Sequence, residues 1–254
     1  MITRENLAVF DHVTIRASDL AASKRFYDLA FPALDFQGEP YVGEQLLEWN
    51  DFSVAPADAQ HPVTRRLHVG FVAPSHDVVD AFWRTLTGAG YRDDGPPGER
   101  DYHRGYYGGF VLDPDGNSDE AVHHDRPPRA DGYVIDHVWI RVRNITASRR
   151  FYELIAPLVR IELTHAESEI VGFRGRGPSF FFLVQSEQPT ENIHLAFPAP
   201  DDAMVDEFHR LALAAGYRDN GAPGERPEYH PGYYGAYVLD PDGHNVEVVC
   251  HNRD

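Results

Sequence analysis

The chain has one cysteine, Cys250, in 254 residues. A single thiol excludes an internal disulfide framework, and such sparing use of cysteine suits a reducing compartment, so a cytoplasmic protein is expected. Long apolar runs are missing as well: no stretch approaches the roughly 18 residues needed to span a bilayer. The opening residues, MITRENLAVFDHV, lack the basic start and apolar core of a secretory leader. Positive charge is scarce, with 23 basic residues against 40 acidic ones and a formal net charge of −17. A surface of that sign repels phosphate backbones and anionic lipid, so neither nucleic acid nor a membrane is an expected partner.

Against these shortages stands enough apolar material, 42% of the residues with 25% charged, to build packed cores without a long disordered tail. Histidine is abundant at 14 residues. That count matters only if some histidines recur at matched positions, and they do.

The chain repeats itself. His12 to Tyr27, HVTIRASDLAASKRFY, matches His137 to Tyr152, HVWIRVRNITASRRFY. Gly90 to Arg100, GYRDDGPPGER, matches Gly216 to Arg226, GYRDNGAPGER. Gly105 to Glu120, GYYGGFVLDPDGNSDE, matches Gly232 to Glu247, GYYGAYVLDPDGHNVE. We expect two units, 1–125 and 131–254, joined by the proline-bearing linker DRPPRAD from Asp125 to Asp131.

Each unit divides again. Val13 and Ile15 alternate with His12, Thr14 and Arg16, which predicts a strand with two unlike faces. Ser18 or Asp19 can cap a helix running to about Phe31, and short strands follow at Leu46 to Trp49 and Phe52 to Ala55. A second start comes at Leu67 to Ala73, then a helix capped by Ser75 and ending near Gly88 or Gly90. Strands at Tyr106 to Leu112 and Asp119 to His123 flank the turn Asp113 to Gly116. The reading is strand-helix-three strands, twice per unit.

His12 opens the first strand, His68 lies on the strand that begins the second half, and Glu120 lies on the last strand. In the second unit His137, His194 and Glu247 hold the same places. Two imidazoles and one carboxylate on converging strands leave coordination positions open, which suits Fe(II) first and also Mn(II) or Zn(II). A lone strand histidine is more often structural than a ligand. The contrast with neighbouring positions argues otherwise here: Thr14 becomes Trp139, Gly70 becomes Ala196 and Asp119 becomes Val246, while the three ligand types persist. Residues two along share a ligand's face. They include Thr14, Arg16, Gly70 and Val122, and in the second unit Trp139, Arg141, Ala196, Asn245 and Val249. Arg16 and Arg141 could hold a substrate anion or balance Glu120 and Glu247, and Trp139 is a candidate substrate contact.

This arrangement resembles the vicinal oxygen chelate superfamily, which includes extradiol ring-cleaving dioxygenases, glyoxalase I, fosfomycin-resistance enzymes and bleomycin-binding proteins. The resemblance covers nearly the whole chain. It implies an α+β fold, a tandem repeat of paired βαβββ modules in which each unit is an open mixed-sheet barrel around a divalent metal, Ni(II) included among the ions such sites take. One motif is narrower. Unit two reads His230, PGYYG, Ala236, Tyr237, Val238, Leu239, Asp240, Pro241, Asp242, Gly243, HNV, Glu247, which is similar to the extradiol signature apart from Ala236 and from Glu228 two residues before the histidine. Unit one has His103 but Phe110 in place of the tyrosine. The resemblance implies that His230 acts as general acid or base, with His103 its counterpart, and that Tyr237 donates a hydrogen bond to a bound phenolate. The family's further active-site histidine has no match: position 179 is Ser179, and His165 lies upstream. The pairs Tyr106-Tyr107 and Tyr233-Tyr234 are a second source of phenols, and Tyr107 and Tyr234 join the substrate-binding candidates.

Three functions follow as expectations. The first is extradiol-like ring cleavage with Fe(II) and O2, centred on the second unit. The second is a glyoxalase- or fosfomycin-resistance-like lyase, isomerase or transferase using Zn, Ni or Mn as Lewis acid. Glyoxalase-like sites take a fourth carboxylate, for which unit one offers Glu48 and unit two only Gly172 and Phe173. The third is a ligand-sequestering protein without turnover. A small-molecule substrate and a monomer or homodimer are expected. The sequence leaves open whether the halves pair within one unit or swap between units.

Overall fold

The computed structural model describes residues 9–125, 132–175, 177 and 179–252; the expected linker Asp125–Asp131, apart from Asp125, and the first eight residues lie outside them. Four modules follow one another. The first is β1 (His12–Ala17), α1 (Leu20–Ala33), β2 (Tyr41–Val42), β3 (Leu47–Trp49) and β4 (Phe52–Pro56). The second is β5 (His68–Val72), α2 (His76–Gly88), β6 (Asp93–Glu99), β7 (Tyr107–Leu112) and β8 (Ser118–His123). The third is β9 (Ile135–Val142), α3 (Ile145–Val159), β10 (Glu162–Ala166), β11 (Ile170–Arg174) and β12 (Phe180–Gln185). The fourth is β13 (His194–Pro198), α4 (Asp202–Ala214), β14 (Arg218–Glu225), β15 (Tyr234–Leu239) and β16 (Asn245–Cys250).

Local chemistry sets the helix starts. The Asp19 carboxylate accepts from the Ala21 and Ala22 amides, and Ser75 and Asp201 accept from Val78 and Met204 in the same way. β6 and β14 were not legible as strands, because DDGPPGE and RDNGAPGE carry proline and glycine instead of an alternating pattern. Both sit at a sheet edge with register shifts against their neighbours, where proline costs no ladder bond.

The strands form two eight-stranded sheets, β14-β15-β16-β13-β1-β4-β3-β2 and β10-β11-β12-β9-β5-β8-β7-β6. Each sheet therefore joins a module of one repeat to a module of the other, which answers the question the sequence left open. The chain clusters into two compact units, Met1–Thr14 with Ile140–Asp254, and Ile15–Trp139. Their limits fall inside β1 and β9. In the unit Ile15–Trp139, Tyr27 and Phe31 of α1 meet Trp49, Phe52 and Phe71, with Phe31 and Trp49 stacked at 4.7 Å. In the other unit Tyr152 of α3 meets Phe173, Phe181 and Phe197. Each such buried aromatic contributes about 1.5–3 kcal/mol by burial, which makes these clusters the anchors of the strands that carry the site.

Candidate metal centres

Six ligand-type residues gather in two places. His12, His194 and Glu247 form one set, and His68, His137 and Glu120 form the other. The repeat alone suggests His12 with His68 and Glu120, so the grouping is corrected: the first histidine of each repeat joins the other repeat's pair. Strand pairing is the cause. β13 runs parallel to β16 and antiparallel to β1, and β5 runs parallel to β8 and antiparallel to β9.

The register explains the convergence. Ala196 of β13 lies opposite Glu247 on one side and His12 on the other. The outer strands of such a triplet stand roughly 9–10 Å apart, so the two ligands reach each other only across a small residue. His194, two residues before Ala196, adds the third donor from the same face. In the second set Gly70 takes the central place between Glu120 and His137. A Cβ on Gly70 would lie 2.2 Å from the His137 ring, so a larger residue there would force that ring to shift.

In the first set His12 Nε2 lies 3.1 Å from His194 Nε2, and Glu247 Oε2 lies 3.1 Å from His194 and 3.7 Å from His12. In the second, His68 Nε2 is 3.2 Å from His137 Nε2 and 3.1 Å from Glu120 Oε2, and His137 is 3.2 Å from the same oxygen. Donors bound to one ion at about 2.0–2.2 Å stand about 3–3.5 Å apart, so both sets fit a divalent cation. Burial alone would raise the Glu120 carboxyl, but hydrogen bonds from His137 and His68 outweigh it and hold it at about 2. Burial would lower His137, yet Asp136 and Glu120 raise it to about 9. Glu247 is likewise held below its ordinary value, burial opposing and His194 and His12 prevailing.

The outer contacts repeat. Tyr233 donates to Glu247 Oε1 at 2.7 Å, and Tyr106 donates to Glu120 Oε1 at 2.8 Å, leaving Oε2 of each carboxylate toward the histidines. Burial and the neighbouring carboxylate push both phenols well above their usual range. Asp11 pairs with His12 Nδ1 at 2.8 Å and Asp136 pairs with His137 Nδ1 at 2.9 Å. His194 Nδ1 meets the Asn245 amide at 2.7 Å, and His68 Nδ1 meets the Ser118 hydroxyl at 3.2 Å. Every ligand imidazole thus has a side-chain partner at Nδ1 that holds its ring plane, and at His12 and His137 that partner is a carboxylate, which also places a hydrogen on Nδ1.

Tyr237 lies beside the first set, its ring 6.2 Å from that of His194, and burial together with the nearby Glu247 carboxylate pushes its phenol up. Phe110 takes the matching place 5.8 Å from His68, and Trp139 stands edge-on 6.4 Å from His68, beside the second set. His230 and His103 stand further out, bonded to His251 at 2.8 Å and His124 at 3.0 Å. Tyr107 and Tyr234 turn away, their hydroxyls bonded to Asp80 and Asp206 on α2 and α4, so the site-facing members of the tyrosine pairs are Tyr106 and Tyr233. Strand alternation sends the two members of each pair to opposite sides. Arg16 is half-buried and reaches the Pro56 carbonyl at 3.3 Å, while Arg141 is exposed. Asp11, Asp136, His124 and His251 were missed. Their signal was available: each recurs at the repeat spacing, Asp immediately before the first histidine and His four residues after the glutamate. Among the described residues neither set includes Glu48, and no helix is long and apolar enough to cross a membrane.

No curated protein matches the chain. Among solved structures, glyoxalase I from Zea mays aligns with TM-score 0.65 at 17% identity, covering 95% of this chain and 92% of that one. Its V278E variant aligns with TM-score 0.67 at 16% identity over 95% and 92%. A candidate dioxygenase from Bacillus subtilis aligns with TM-score 0.65 at 15% identity, covering 98% and 87%. Identities this low establish a shared fold. The family model of the Glyoxalase/Bleomycin resistance protein/Dioxygenase superfamily matches residues 9–120 and 134–248, nearly the whole chain and both repeats, and the chain belongs to that superfamily.

Proposed function

We propose that the protein is a metal-dependent enzyme acting on a small molecule, with a divalent ion held by His12, His194 and Glu247 and another by His68, His137 and Glu120. The observation that carries this reading is the pair of two-histidine, one-carboxylate sets, each with its carboxylate buried and each ligand contacted by a further side chain. Iron bound in such a set supplies oxygen chemistry, and a redox-inert ion supplies Lewis acidity.

The finer reading is extradiol-like ring cleavage with Fe(II) and O2 at the first set. Tyr237 supports it, because its hydroxyl stands beside Glu247 where it can donate to a substrate oxygen, a bond that Phe110 cannot make at the second set. Tyr233 holds Glu247 by one oxygen, and Asp11 keeps the proton of His12 on Nδ1. Elemental mass spectrometry on anaerobically purified protein tests the ligands. Near two equivalents of iron, falling by one in Glu247→Ala and in Glu120→Ala, is expected. Oxygen uptake with a panel of catechols then tests the reaction, and silence across a broad panel with a fully iron-loaded protein would count against it.

A lyase or isomerase reading draws on the shared fold with glyoxalase I. Neither set includes a fourth carboxylate among the described residues, which disfavours it. Turnover with Zn or Ni in the absence of oxygen would favour it.

A further inference from the structure

Behind the first histidine of each set runs a chain of side chains that the metal reading does not use. From His12 it passes to Asp11, whose second oxygen lies 2.7 Å from His251 Nε2. His251 Nδ1 lies 2.8 Å from His230 Nε2, and His230 Nδ1 donates to the Pro231 carbonyl at 2.7 Å. From His137 the same chain passes to Asp136, then to His124 Nε2 at 2.9 Å. His124 Nδ1 lies 3.0 Å from His103 Nε2, and His103 Nδ1 donates to the Arg104 carbonyl at 2.9 Å. In both places the two imidazoles meet edge to edge, with ring centres 5.0 and 5.1 Å apart and planes within 18° and 17°.

Each chain thus begins on a carboxylate and ends on a backbone carbonyl, a group that only accepts, so the two imidazoles between them are held at both ends. The hold matters because Asp136 is 3% exposed at its side chain, and burying a carboxylate without hydrogen-bonding partners is costly.

We propose that His251 with His230, and His124 with His103, are positioning residues that act through Asp11 and Asp136. Each pair keeps its aspartate aimed, so that the carboxylate stays on Nδ1 of His12 or His137 and Nε2 of that ring stays turned toward the other ligands. Each chain ends outward, at the half-buried His230 or the exposed His103. The inference rests on the metal reading for its purpose and on hydrogen-bond geometry for its substance.

Two readouts separate these. In the metal-free protein with 15N-labelled histidine, imidazole correlation spectra should show a hydrogen on Nδ1 of His12 and of His137, and these resonances should move in His251→Leu and in His124→Leu respectively. An Nδ1 without a hydrogen at either ring, or resonances that do not move in a folded variant, would overturn the proposal. The second readout is a Co(II) titration. His251→Leu should weaken the first set by about ten- to a hundredfold and change its visible absorption, leaving the second set as an internal control for folding. His251→Gln, which can still donate to Asp11, should restore much of the affinity. A folded His251→Leu protein with unchanged Co(II) affinity and spectrum at the first set would overturn it. Failure of the wild-type protein to take up Co(II) would instead sink the metal reading, and the tautomer spectra would still decide the outer chain.

Discussion

The two ligand sets share their machinery and differ in their walls. Both have two histidines, one glutamate, a tyrosine on the carboxylate and an aspartate behind the first histidine. Beneath His12, however, lies the methyl of Ala196, whereas beneath His137 lies Gly70. The consequence is visible in the packing. The side chain of His12 is 23% exposed and stands 3.7 Å from the glutamate oxygen, while His137 is 1% exposed and stands 3.2 Å from its own. Opposite the second histidine the first set has Thr14 and the second has Trp139. Near it the first set has the phenol of Tyr237 and the second the plain ring of Phe110. Tyr102 and Trp139 extend the aromatic wall of the second set, with ring centres 6.4 Å apart. The two repeats keep what would hold an ion and differ in what would meet a substrate.

The largest effect should come from the central residue of the strand triplet. Gly70→Ala puts a methyl into the His137 ring, so it should cost the second set its ion, read as one lost equivalent by elemental analysis. Ala196→Gly at the first set should keep both equivalents. A Gly70→Ala protein that retains both would show that the ring relocates freely.

Next come the walls. Tyr237→Phe should lower turnover by about tenfold or more with the ion still bound, because a donor to the substrate is lost while the ligands are untouched. Phe110→Tyr should not lower it. Equal effects of the two changes would mean that the sets do not divide the work as their walls suggest.

A pH effect follows at the second set. His137 must be neutral to ligate, and in the metal-free protein it is raised to about 9 from 6.5. Binding near neutral pH should therefore release a proton, and affinity there should climb by up to about tenfold per pH unit until roughly pH 9. Calorimetry in two buffers of unlike ionisation enthalpy measures that release. The folding linkage has the opposite sense. The raised value stabilises the metal-free fold fully below about 6.5, and that contribution is lost as the pH rises through about 9.

The smallest expected effect is that of Tyr106→Phe or Tyr233→Phe, each freeing one carboxylate oxygen and weakening its own set by about tenfold in a Co(II) titration.

Much of this was legible in the residues. The ligand types stand out because both repeats keep them while adjacent positions change, and Asp19 and Ser75 mark the helix starts as capping chemistry demands. The grouping was not legible, since a repeat says which residues are alike and nothing about which strands lie side by side. Alternation also concealed Asp11 and Asp136: a residue next to a ligand is expected on the opposite face, yet each carboxylate reaches back to its neighbour's Nδ1. The faces of the tyrosine pairs were not legible, since Tyr106 and Tyr233 stand just before the alternating stretches of β7 and β15. Gly108 and Gly235 sit under the glutamate oxygens, where a Cβ would fall 2.2 and 2.7 Å away, and mark the correct phase.

The exchange of histidines between repeats is the central claim, and metal content in two double variants tests it most directly. His12→Ala with Glu247→Ala removes two ligands from one set, so one equivalent should remain. His12→Ala with Glu120→Ala removes one ligand from each set, so none should remain. The reverse outcome, with one equivalent surviving in His12→Ala with Glu120→Ala and none in His12→Ala with Glu247→Ala, would show that each repeat closes its own site and would contradict the account.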